Sequence, residues 1–313
     1  ITTRLVGSEM CIRDSIYMID FKPITLKDKN LITSYTLTYA PQDCDFSFAN
    51  LCAWHFSNDS SFAEVENCLV IRFRMEDNRV IYLMPIGQGN IMHVIDLLER
   101  EASAEGQPLR LQGPYPDTRD KLEKYYPTLF EYDIHRDYAD YIYSRSALAE
   151  LKGKYYQPKR NHVNKFVKEH VYRYTMLTPE MLPQCLELES RWCMEHDYVV
   201  QASMKAERRA LTYNIHHYEE LGLLGGAIWV GDKMLAFTFG SPVNETTFAT
   251  HVEKATMKID GTYSIINKEF AAHLPEQYLY INREEDLGLP GLRQAKLSYH
   301  PDILLEKCIA IKK

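Results

Sequence analysis

Residues 281–301 read INREEDLGLPGLRQAKLSYHP and join a short apolar strand to a helix. The strand, Tyr278 to Ile281, runs into three consecutive acids, and a Gly-Leu-Pro-Gly turn then opens the helix. Pro290 suits the first helical position, where the missing N–H leaves no helical hydrogen bond unmade. Ionisable groups at the carboxyl end of a strand are typical of ligand sites in open α/β sheets. A solvated turn followed by an amphipathic helix is the alternative interpretation.

Length and composition limit the classes of protein to consider. The 313 residues, 45% hydrophobic and 25% charged, are typical of a globular protein with one large or two medium domains. A formal net charge of −7 argues against a protein that coats nucleic acid. Seven scattered cysteines without a Cys-x-x-Cys pair predict neither a zinc site nor disulfides, and indicate a reducing, cytoplasmic compartment. No apolar run approaches the ~18 residues of a membrane helix, so we predict no integral membrane segment.

The first residues need a separate interpretation. Residues 1–15 read ITTRLVGSEMCIRDS and lack the pattern of a signal peptide. They resemble a translated adapter read-through. We therefore expect residues 1–17 to be non-native and Met18 to be the natural start.

The second half of the chain shows a clear order of elements. Periodicity and turn residues predict a strand at 172–177, helices at 178–196 and 203–221, strands at 224–230, 234–240 and 246–253, a helix at 262–274, a strand at 278–281, a helix at 290–298 and a strand at 303–311. This β-α-α-β-β-β-α-β-α-β order is that of the GNAT acyltransferase fold. The first half repeats a similar order less clearly.

These patterns predict an α/β (α+β) fold of two tandem GNAT-like domains with mixed, mostly antiparallel sheets. The predicted domains span residues 18–150 and 171–313, and a basic segment at 151–170 connects them. Residues 150–170 contain five lysines, one arginine and two glutamates, which gives a local charge of +4 in an acidic protein. An anionic ligand and a solvated basic helix both remain open interpretations of this segment.

Three sets of motifs carry a resemblance to a known family. They are LKGK (151–154) with KRNH (159–162), HVEK (251–254), and NREEDLG (282–288) with GLRQAK (291–296). From Met18 onward the chain resembles the family named for the C-terminal domain of phosphatidylglycerol lysyltransferase, which is distantly similar to the Fem peptidyltransferases. The resemblance implies a cytoplasmic tandem GNAT fold that transfers an acyl or aminoacyl group to an amine or hydroxyl. It also implies aminoacyl-tRNA as donor, and a lipid headgroup, peptide or small molecule as acceptor.

The donor remains open between aminoacyl-tRNA and acyl-CoA, and no cofactor is established. GNAT enzymes that use acetyl-CoA carry a Gln/Arg-x-x-Gly-x-Gly/Ala loop whose amides hold the pyrophosphate. Residues 255–264 read ATMKIDGTYS, with one glycine and with Asp260, which would repel phosphate. One alternative is therefore an acyl-CoA N-acyltransferase whose CoA site lies near Gly87-Gln88-Gly89-Asn90. Another is a non-catalytic binding module that keeps the fold.

Three residues are candidates for catalysis: Glu253, Glu284 and Tyr299. Aminoacyl transfer requires a base for the attacking nucleophile and donors for the oxyanion. Either glutamate could be the base or could hold the ammonium of an aminoacyl group, and surface charge is the alternative for both. Tyr299 lies near the place where many GNAT enzymes have a tyrosine general acid, although its position favours a packing role.

The orientation of Glu253 follows from strand periodicity. Alternation along residues 246–253 predicts that Glu253 shares a face with His251 and Ala249, opposite Phe248 and Val252. On that geometry, Glu253 and the acids after the next strand face one cleft.

A further set of residues is assigned to binding of the substrate and the donor: Asn282, Arg283, Asp286, Arg293, Lys296, Lys159, Arg160, Asn161 and Lys165. Arginine and lysine in the second half are suited to phosphate or carboxylate. Internal pairing of Arg293 with Asp286 or Glu285 is the alternative. The residues of the basic segment could contact phosphates of a tRNA acceptor stem. The histidines predict no metal site, because the rings of adjacent His216 and His217 point apart on a helix.

Overall fold

The structure is a computed structural model that describes residues 18–195 and 202–313. The predicted read-through segment, 1–17, lies outside the described residues. The strands are β1 (Lys22–Pro23), β2 (Ser61–Val65), β3 (Cys68–Arg74), β4 (Val80–Leu83), β5 (Ile86–Gly87), β6 (Arg110–Gln112), β7 (Phe130–Ile134), β8 (Asp140–Ser144), β9 (Tyr172–Met176), β10 (Leu224–Val230), β11 (Lys233–Pro242), β12 (Thr247–Ala255), β13 (Tyr280–Asn282), β14 (Ile303–Leu305) and β15 (Cys308–Lys312).

The α-helices fill most of the chain between the strands. They are α1 (Lys29–Tyr39), α2 (Phe48–Ala53), α3 (His55–Asn58), α4 (Ile91–Ala104), α5 (Pro116–Tyr125), α6 (Arg145–Glu150), α7 (Gln157–Glu169), α8 (Leu182–Glu195), α9 (Ala202–His216), α10 (Tyr218–Leu221), α11 (Thr262–His273) and α12 (Pro290–Leu297). Short 3-10 turns precede α1, α2 and α8. Among the residues that the structure covers, no helix has the length and apolar character needed to cross a membrane.

The strands form two mixed sheets. Sheet 1 has the order β1-β2-β3-β4-β6-β15-β7, with β5 paired to β3, and sheet 2 has the order β14-β8-β13-β12-β11-β10-β9. Among the strands of the described residues, only the pairs β4–β6 and β12–β13 are parallel. The predicted fold class, two GNAT-like units with mostly antiparallel sheets, is confirmed.

The elements of the second half match their predictions closely, with one exception. The hairpin through Gly231 joins β10 to β11 as expected. The single strand predicted at 303–311 is wrong, because β14 pairs with β8 in sheet 2 whereas β15 pairs with β6 and β7 in sheet 1. The break falls at Glu306 and Lys307, where the side chain of Lys307 enters a buried group of acids.

Four strands of the first half were not predicted: β2, β5, β7 and β8. Strand β8 is buried at Asp140, Tyr141, Ile142 and Tyr143, so it lacks the alternation that reveals a half-exposed strand. It belongs to sheet 2, while β15 belongs to sheet 1. Two strands therefore cross the predicted division at residues 150 and 171, and that division remains a prediction.

Apolar side chains form three cores around the two sheets. A central core joins α1 and α2 to α8 and α9, and contacts both sheets. A second core packs α6, α7 and α11 on the other face of sheet 2, and a third packs α4 and α5 on the other face of sheet 1. Sheet 2 is therefore covered on one face by the central core and on the other by α6, α7 and α11.

A β-bulge reorients the end of β12. Phe239 of β11 pairs with Val252 and Gly240 pairs with Thr250, which leaves His251 without a partner on β11. Gly240 permits the close approach, because a Cβ there would lie 1.8 Å from the carbonyl oxygen of Ala249. A bulge inserts one residue and so reverses the alternation that follows it.

The predicted orientation of Glu253 is wrong for this reason. Val252 joins Ala249 in the central core, and His251 contacts Ser47 on the same side. Glu253 instead contacts Asn267 of α11, on the side of Phe248.

Strands β12 and β13 separate soon after they pair. Their parallel pairing extends only from Thr247–Tyr280 to Ala249–Asn282. Beyond that point the backbone of residues 283 and 284 bonds to Tyr141 of β8, while β12 continues along β11. We call the gap between residues 250–255 and residues 283–286 the β12–β13 opening.

Candidate functional site

The β12–β13 opening is crossed by two pairs of side chains. On the α11 side, Arg283 Nη2 donates to Glu253 Oε1 at 2.9 Å. On the side of the central core, His251 Nδ1 lies 2.8 Å from Glu284 Oε1. The bulge explains this arrangement, because it directs Glu253 and His251 to opposite faces. Ionisable groups thus line the opening on both faces.

Five residues line the α11 face, and we call them the Arg283 group: Lys159, Glu253, Asn267, Arg283 and Tyr299. Glu253 accepts from Arg283 and from Asn267, at 2.9 and 3.3 Å. Within the described part of the chain, Arg283 Nη1 and Asn267 Oδ1 are buried and have no hydrogen-bond partner. Lys159 Nζ and Arg283 Cζ lie 4.1 and 5.0 Å from the centroid of the Tyr299 ring. Two cations therefore lie near one carboxylate, and Arg283 is the one that pairs with it.

The protonation states in the Arg283 group follow from burial and charge. Burial, together with the charge of Arg283, lowers the pKa of Lys159 to about 8, although Glu253 opposes the shift. Burial raises the pKa of Tyr299, which keeps its phenol neutral. Burial alone would lower the pKa of Arg283. Glu253, Tyr143 and Tyr299 together outweigh burial and raise the pKa. At neutral pH the group holds a fixed arginine cation, a neutral phenol and a lysine near its titration point.

Glu284 is held by a chain of polar side chains on the other face. Asn50 Nδ2 donates to Glu284 Oε1 at 2.9 Å, and His251 Nε2 lies 2.8 Å from Ser241 Oγ and 3.3 Å from Ser47 Oγ. Burial raises the pKa of Glu284, but its hydrogen bonds with His251 and Asn50 outweigh burial and lower it. Glu284 also has a φ of 58°, a conformation that costs a non-glycine residue free energy. The result is an ionised carboxylate in a fixed position.

A second buried group of charges, the Lys307 cluster, joins the two sheets: Lys307, Asp43, Asp45, Asp140 and Glu285. Lys307 Nζ lies 3.2, 3.1, 3.0 and 2.5 Å from the four carboxylates in that order. Burial would lower the pKa of Lys307, but the carboxylates outweigh it and raise the pKa well above its usual value. Burial also raises the pKa of Asp140 to about 7, against the opposing charge of Lys307. The protein itself thus supplies the ion-pair partners of Lys307.

The acids of the Lys307 cluster and Cys44 are close enough to ligate a metal ion. The Lys307 ammonium already lies among the same atoms, 3.4 Å from the Cys44 sulfur. A protonated amine and a metal ion would compete for those ligands. The arrangement therefore describes an ion-pair cluster and carries no metal assignment.

Asn282 and Lys296 stabilise the turn after β13. Asn282 Nδ2 donates to the Gln42 carbonyl and to Asp140, at 2.7 and 2.6 Å, and its Oδ1 accepts from Glu284 N. Lys296 Nζ donates to the carbonyl oxygens of Arg283 and Glu285. Both side chains are buried, so their predicted contact with a substrate would require these internal bonds to break.

Asp286 and Arg293 pair with each other, as the alternative interpretation proposed. Arg293 donates to both oxygens of Asp286 at 2.8 Å and to Asp137 at 2.6 Å. Asp286 also accepts from Tyr141 and Arg136. The hydrogen bond from Arg293 lowers the pKa of Asp286 below its usual range, because it outweighs the effect of burial. This pair closes the turn that leads into α12.

The predicted tRNA contacts on α7 separate into inward and outward residues. Arg160 donates to the carbonyl oxygens of Leu151 and Gly153, and Lys165 Nζ lies 3.0 Å from Asp260. Asn161 is exposed. Only Lys159 turns into the opening, where it contacts Tyr299. The structure thus brings Lys159, Glu253, Arg283 and Tyr299 together, with Glu284 on the opposite face.

Sequence reasoning did not find the side chains that hold Glu284 or the ammonium of the acidic cluster. Ser47, Ser241 and Lys307 are far apart in sequence, and each becomes informative only through tertiary contacts. The nearest local signal is the Gly240-Ser241 pair, because glycine within a strand often marks a bulge.

The two mixed sheets, the helices that cover them and the opening between parallel strands define a GNAT-like acyltransferase fold. The chain belongs to the family of phosphatidylglycerol lysyltransferase C-terminal domains, whose model matches residues 37–311. The resemblance stated from the motifs is confirmed.

Solved structures agree with this assignment. A conserved protein of unknown function from Bacteroides thetaiotaomicron VPI-5482 is 47% identical, with a TM-score of 0.92, over 95% of this chain and 100% of that one. The fold also matches, at 12% identity and a TM-score of 0.63, L-PGS from Bacillus licheniformis over 93% of each chain. FemX matches at 9% identity and a TM-score of 0.62, over 94% of this chain and 98% of that one. No curated protein matches the chain.

Proposed function

We propose that this chain transfers an aminoacyl group from aminoacyl-tRNA to an amine or hydroxyl acceptor at the β12–β13 opening. The family and fold support an acyltransferase of the aminoacyl-transfer type. The observation that carries the proposal is the buried Nη1 of Arg283, which has no hydrogen-bond partner in the described part of the chain. An unmet buried donor costs about 1–3 kcal/mol. A ligand oxygen that accepts from Nη1 would remove this cost.

Arg283 is suited to stabilise the transition state of acyl transfer. When the acceptor attacks the ester carbon, negative charge develops on the carbonyl oxygen. A fixed donor aimed at that oxygen lowers the barrier, by an amount on the order of 10²–10³ in rate for a single donor. Glu253 holds the guanidinium through Nη2 and leaves Nη1 free for this contact. The ester C–O bond then breaks, and the ribose hydroxyl of the tRNA leaves.

Glu284 is suited to bind the ammonium of the aminoacyl group. Its lowered pKa keeps the carboxylate ionised at neutral pH. The aminoacyl group would therefore lie between a carboxylate on one face and a guanidinium on the other.

Packing at two glycine sites supports aminoacyl-tRNA rather than acyl-CoA as the donor. A Cβ at Gly261, just before α11, would lie 2.5 Å from the carbonyl oxygen of His162, so α7 packs where a pyrophosphate would bind. Asp260 there binds His162 and Lys165. A Cβ at Gly89 would lie 1.9 Å from the carbonyl oxygen of Glu66, so the glycine allows backbone packing. An aminoacyl-tRNA donor would also require a cytoplasmic location.

A gel shift with bulk charged tRNA tests the proposal. We expect a salt-sensitive shift that is stronger for charged than for deacylated tRNA and that CoA does not reverse. Arg283→Gln should reduce the preference for charged tRNA at least tenfold. Arg79→Gln, which removes an exposed arginine paired with Asp77 in the turn between β3 and β4, is the matched control and should behave as wild type.

Transfer itself requires a second readout. Loss of the aminoacyl ester from tRNA should accelerate when amines, lipid headgroups or peptides are added, and Arg283→Gln should slow it by about 10²-fold or more. Binding of charged tRNA without such loss, across the whole acceptor panel, would favour the non-catalytic module. A shift that CoA abolishes would favour acyl-CoA as donor.

A further inference from the structure

Lys159 differs from the other basic residues around it. It lies in the first turn of α7, is partly buried, and contacts the face of the Tyr299 ring at 4.1 Å. Its neighbour Arg160 bonds backbone carbonyls, and Lys165 pairs with Asp260 at 3.0 Å. Among residues 18–195 and 202–313, no carboxylate lies within ion-pair distance of the Lys159 ammonium. A partly buried lysine without an anionic partner is an unusual feature, because such charges are normally paired.

The groups that face Lys159 leave it no free anion. Arg283, on the turn after β13, is a permanent cation beside it, and Glu253 of β12 is the nearby carboxylate. Both oxygens of Glu253 are already engaged, one by Arg283 and the other by Asn267. Tyr299 adds a neutral phenol from the segment after α12.

This environment increases the fraction of Lys159 that is neutral. Burial and Arg283 lower the pKa of Lys159 to about 8. At pH 7 roughly a tenth of such an amine is unprotonated, compared with roughly 0.04% of an ordinary lysine of pKa about 10.4. A neutral amine in reach of the opening can accept a proton.

We propose that the amine of Lys159 is the base that accepts the proton of the attacking acceptor, an inference that rests on the proposed function. The O–H or N–H bond of the acceptor breaks as its oxygen or nitrogen bonds to the acyl carbon, and Lys159 Nζ takes the proton. The ester C–O bond to the tRNA ribose breaks, and Lys159 returns that proton to the ribose oxygen. Glu253 then acts as a positioning residue, because both of its oxygens hold Arg283 and Asn267.

Competitive labelling measures the state of this amine without any donor or acceptor. The full chain is treated with trace acetic anhydride between pH 6 and 11, and acetylation of each lysine is quantified by peptide mass spectrometry. We expect Lys159 to titrate with a midpoint near 8, and Lys165, whose pKa Asp260 raises, to titrate above the usual range of lysine. Arg283→Gln should move the Lys159 midpoint upward. A Lys159 that titrates together with Lys165 would overturn the proposal.

A single-turnover transfer assay tests the catalytic role. The wild-type rate should rise about tenfold per pH unit below pH 8 and level off above it. Lys159→Arg should slow transfer by about 10²-fold or more and remove this pH dependence, while the gel shift with charged tRNA stays within twofold. Lys268→Arg, a change on α11 next to Glu269, is the matched control and should leave both readouts unchanged.

The outcomes separate this proposal from the function on which it rests. Transfer by Lys159→Arg at the wild-type rate and with the wild-type pH profile would overturn the base and leave the proposed function standing. A wild-type chain that transfers nothing would overturn both, even if Lys159 labels with a midpoint near 8.

Discussion

The Lys307 cluster and the Arg283 group lie on opposite sides of one turn and differ in their balance of charge. In the Lys307 cluster, one ammonium contacts four carboxylates. In the Arg283 group, Glu253 pairs with Arg283 alone, Lys159 has no ion-pair partner among the described residues, and a donor and an acceptor are without a hydrogen-bond partner within the described chain. The protein itself supplies the ion-pair partners of the first group, whereas we propose that a ligand completes the second.

This difference separates a structural role from a functional one. Buried ion pairs contribute little net stability, but breaking one leaves an uncompensated charge and is strongly destabilising. Unmet buried groups raise the free energy of the folded state and persist where function requires them. The same kind of substitution should therefore have opposite effects in the two groups.

Removal of the central cation should have the largest effect. Lys307→Met leaves four acids without their common partner and should lower the free energy of unfolding by about 3–5 kcal/mol. Folding raises the pKa of Lys307 above its unfolded value of about 10.4, so the stabilisation is complete at any pH below that value. The loss should therefore be fully present at pH 7. Urea denaturation measures it, with Lys313→Met, an exposed lysine near Glu131, as control. A loss below about 1 kcal/mol would contradict the structural role.

The Asp286–Arg293 pair should show an intermediate effect. Asp286→Asn removes the charge that Arg293, Arg136 and Tyr141 bind, and should cost about 2–3 kcal/mol at pH 7. The pKa of Asp286 is lowered on folding, so its contribution is present above about pH 4 and is lost as the pH falls further. Denaturation curves of wild type and variant should converge in acid. A difference that persists unchanged below pH 3 would contradict the ion pair.

Lys159 should show the smallest effect on stability, with the opposite sign. Lys159→Met removes a cation that lies beside Arg283 without a carboxylate of its own. The variant should be as stable as wild type or more stable by roughly 0.5 kcal/mol, because apolar replacement of a poorly compensated charge is often neutral or favourable. Thermal and urea unfolding measure the change. A loss of more than about 1 kcal/mol would indicate that Lys159 supports the fold.

Local patterns predicted most of the second half, because its helices and strands have clear periodicity and end at Gly or Pro residues. Strand β8 escaped prediction because it is buried on both faces and rich in tyrosine. The face of Glu253 was mispredicted because the bulge at His251 depends on the neighbouring strand. Sequence alternation cannot reveal a pairing between two strands.

The candidate site was also predicted only in part, because some of its residues come together only through tertiary packing. Glu253 and Arg283 come from motifs near strand ends, and Tyr299 follows α12. Lys159 was assigned to phosphate because its segment is basic, yet the tertiary packing of α7 turns it inward. Nothing local distinguishes it from Lys165, which pairs at the surface.

The proposed function requires the Arg283 group, in which Arg283 Nη1 has no hydrogen-bond partner among the described residues, to bind the aminoacyl end of a donor. Protection of Lys159 from acetic anhydride tests this requirement most directly. The labelling is carried out at pH 8 with charged tRNA, deacylated tRNA or CoA at matched concentrations, and Lys165 serves as internal reference. We predict that charged tRNA lowers acetylation of Lys159 at least fivefold relative to Lys165, and that deacylated tRNA and CoA do not. Equal labelling under all conditions, or protection by CoA, would contradict the proposal.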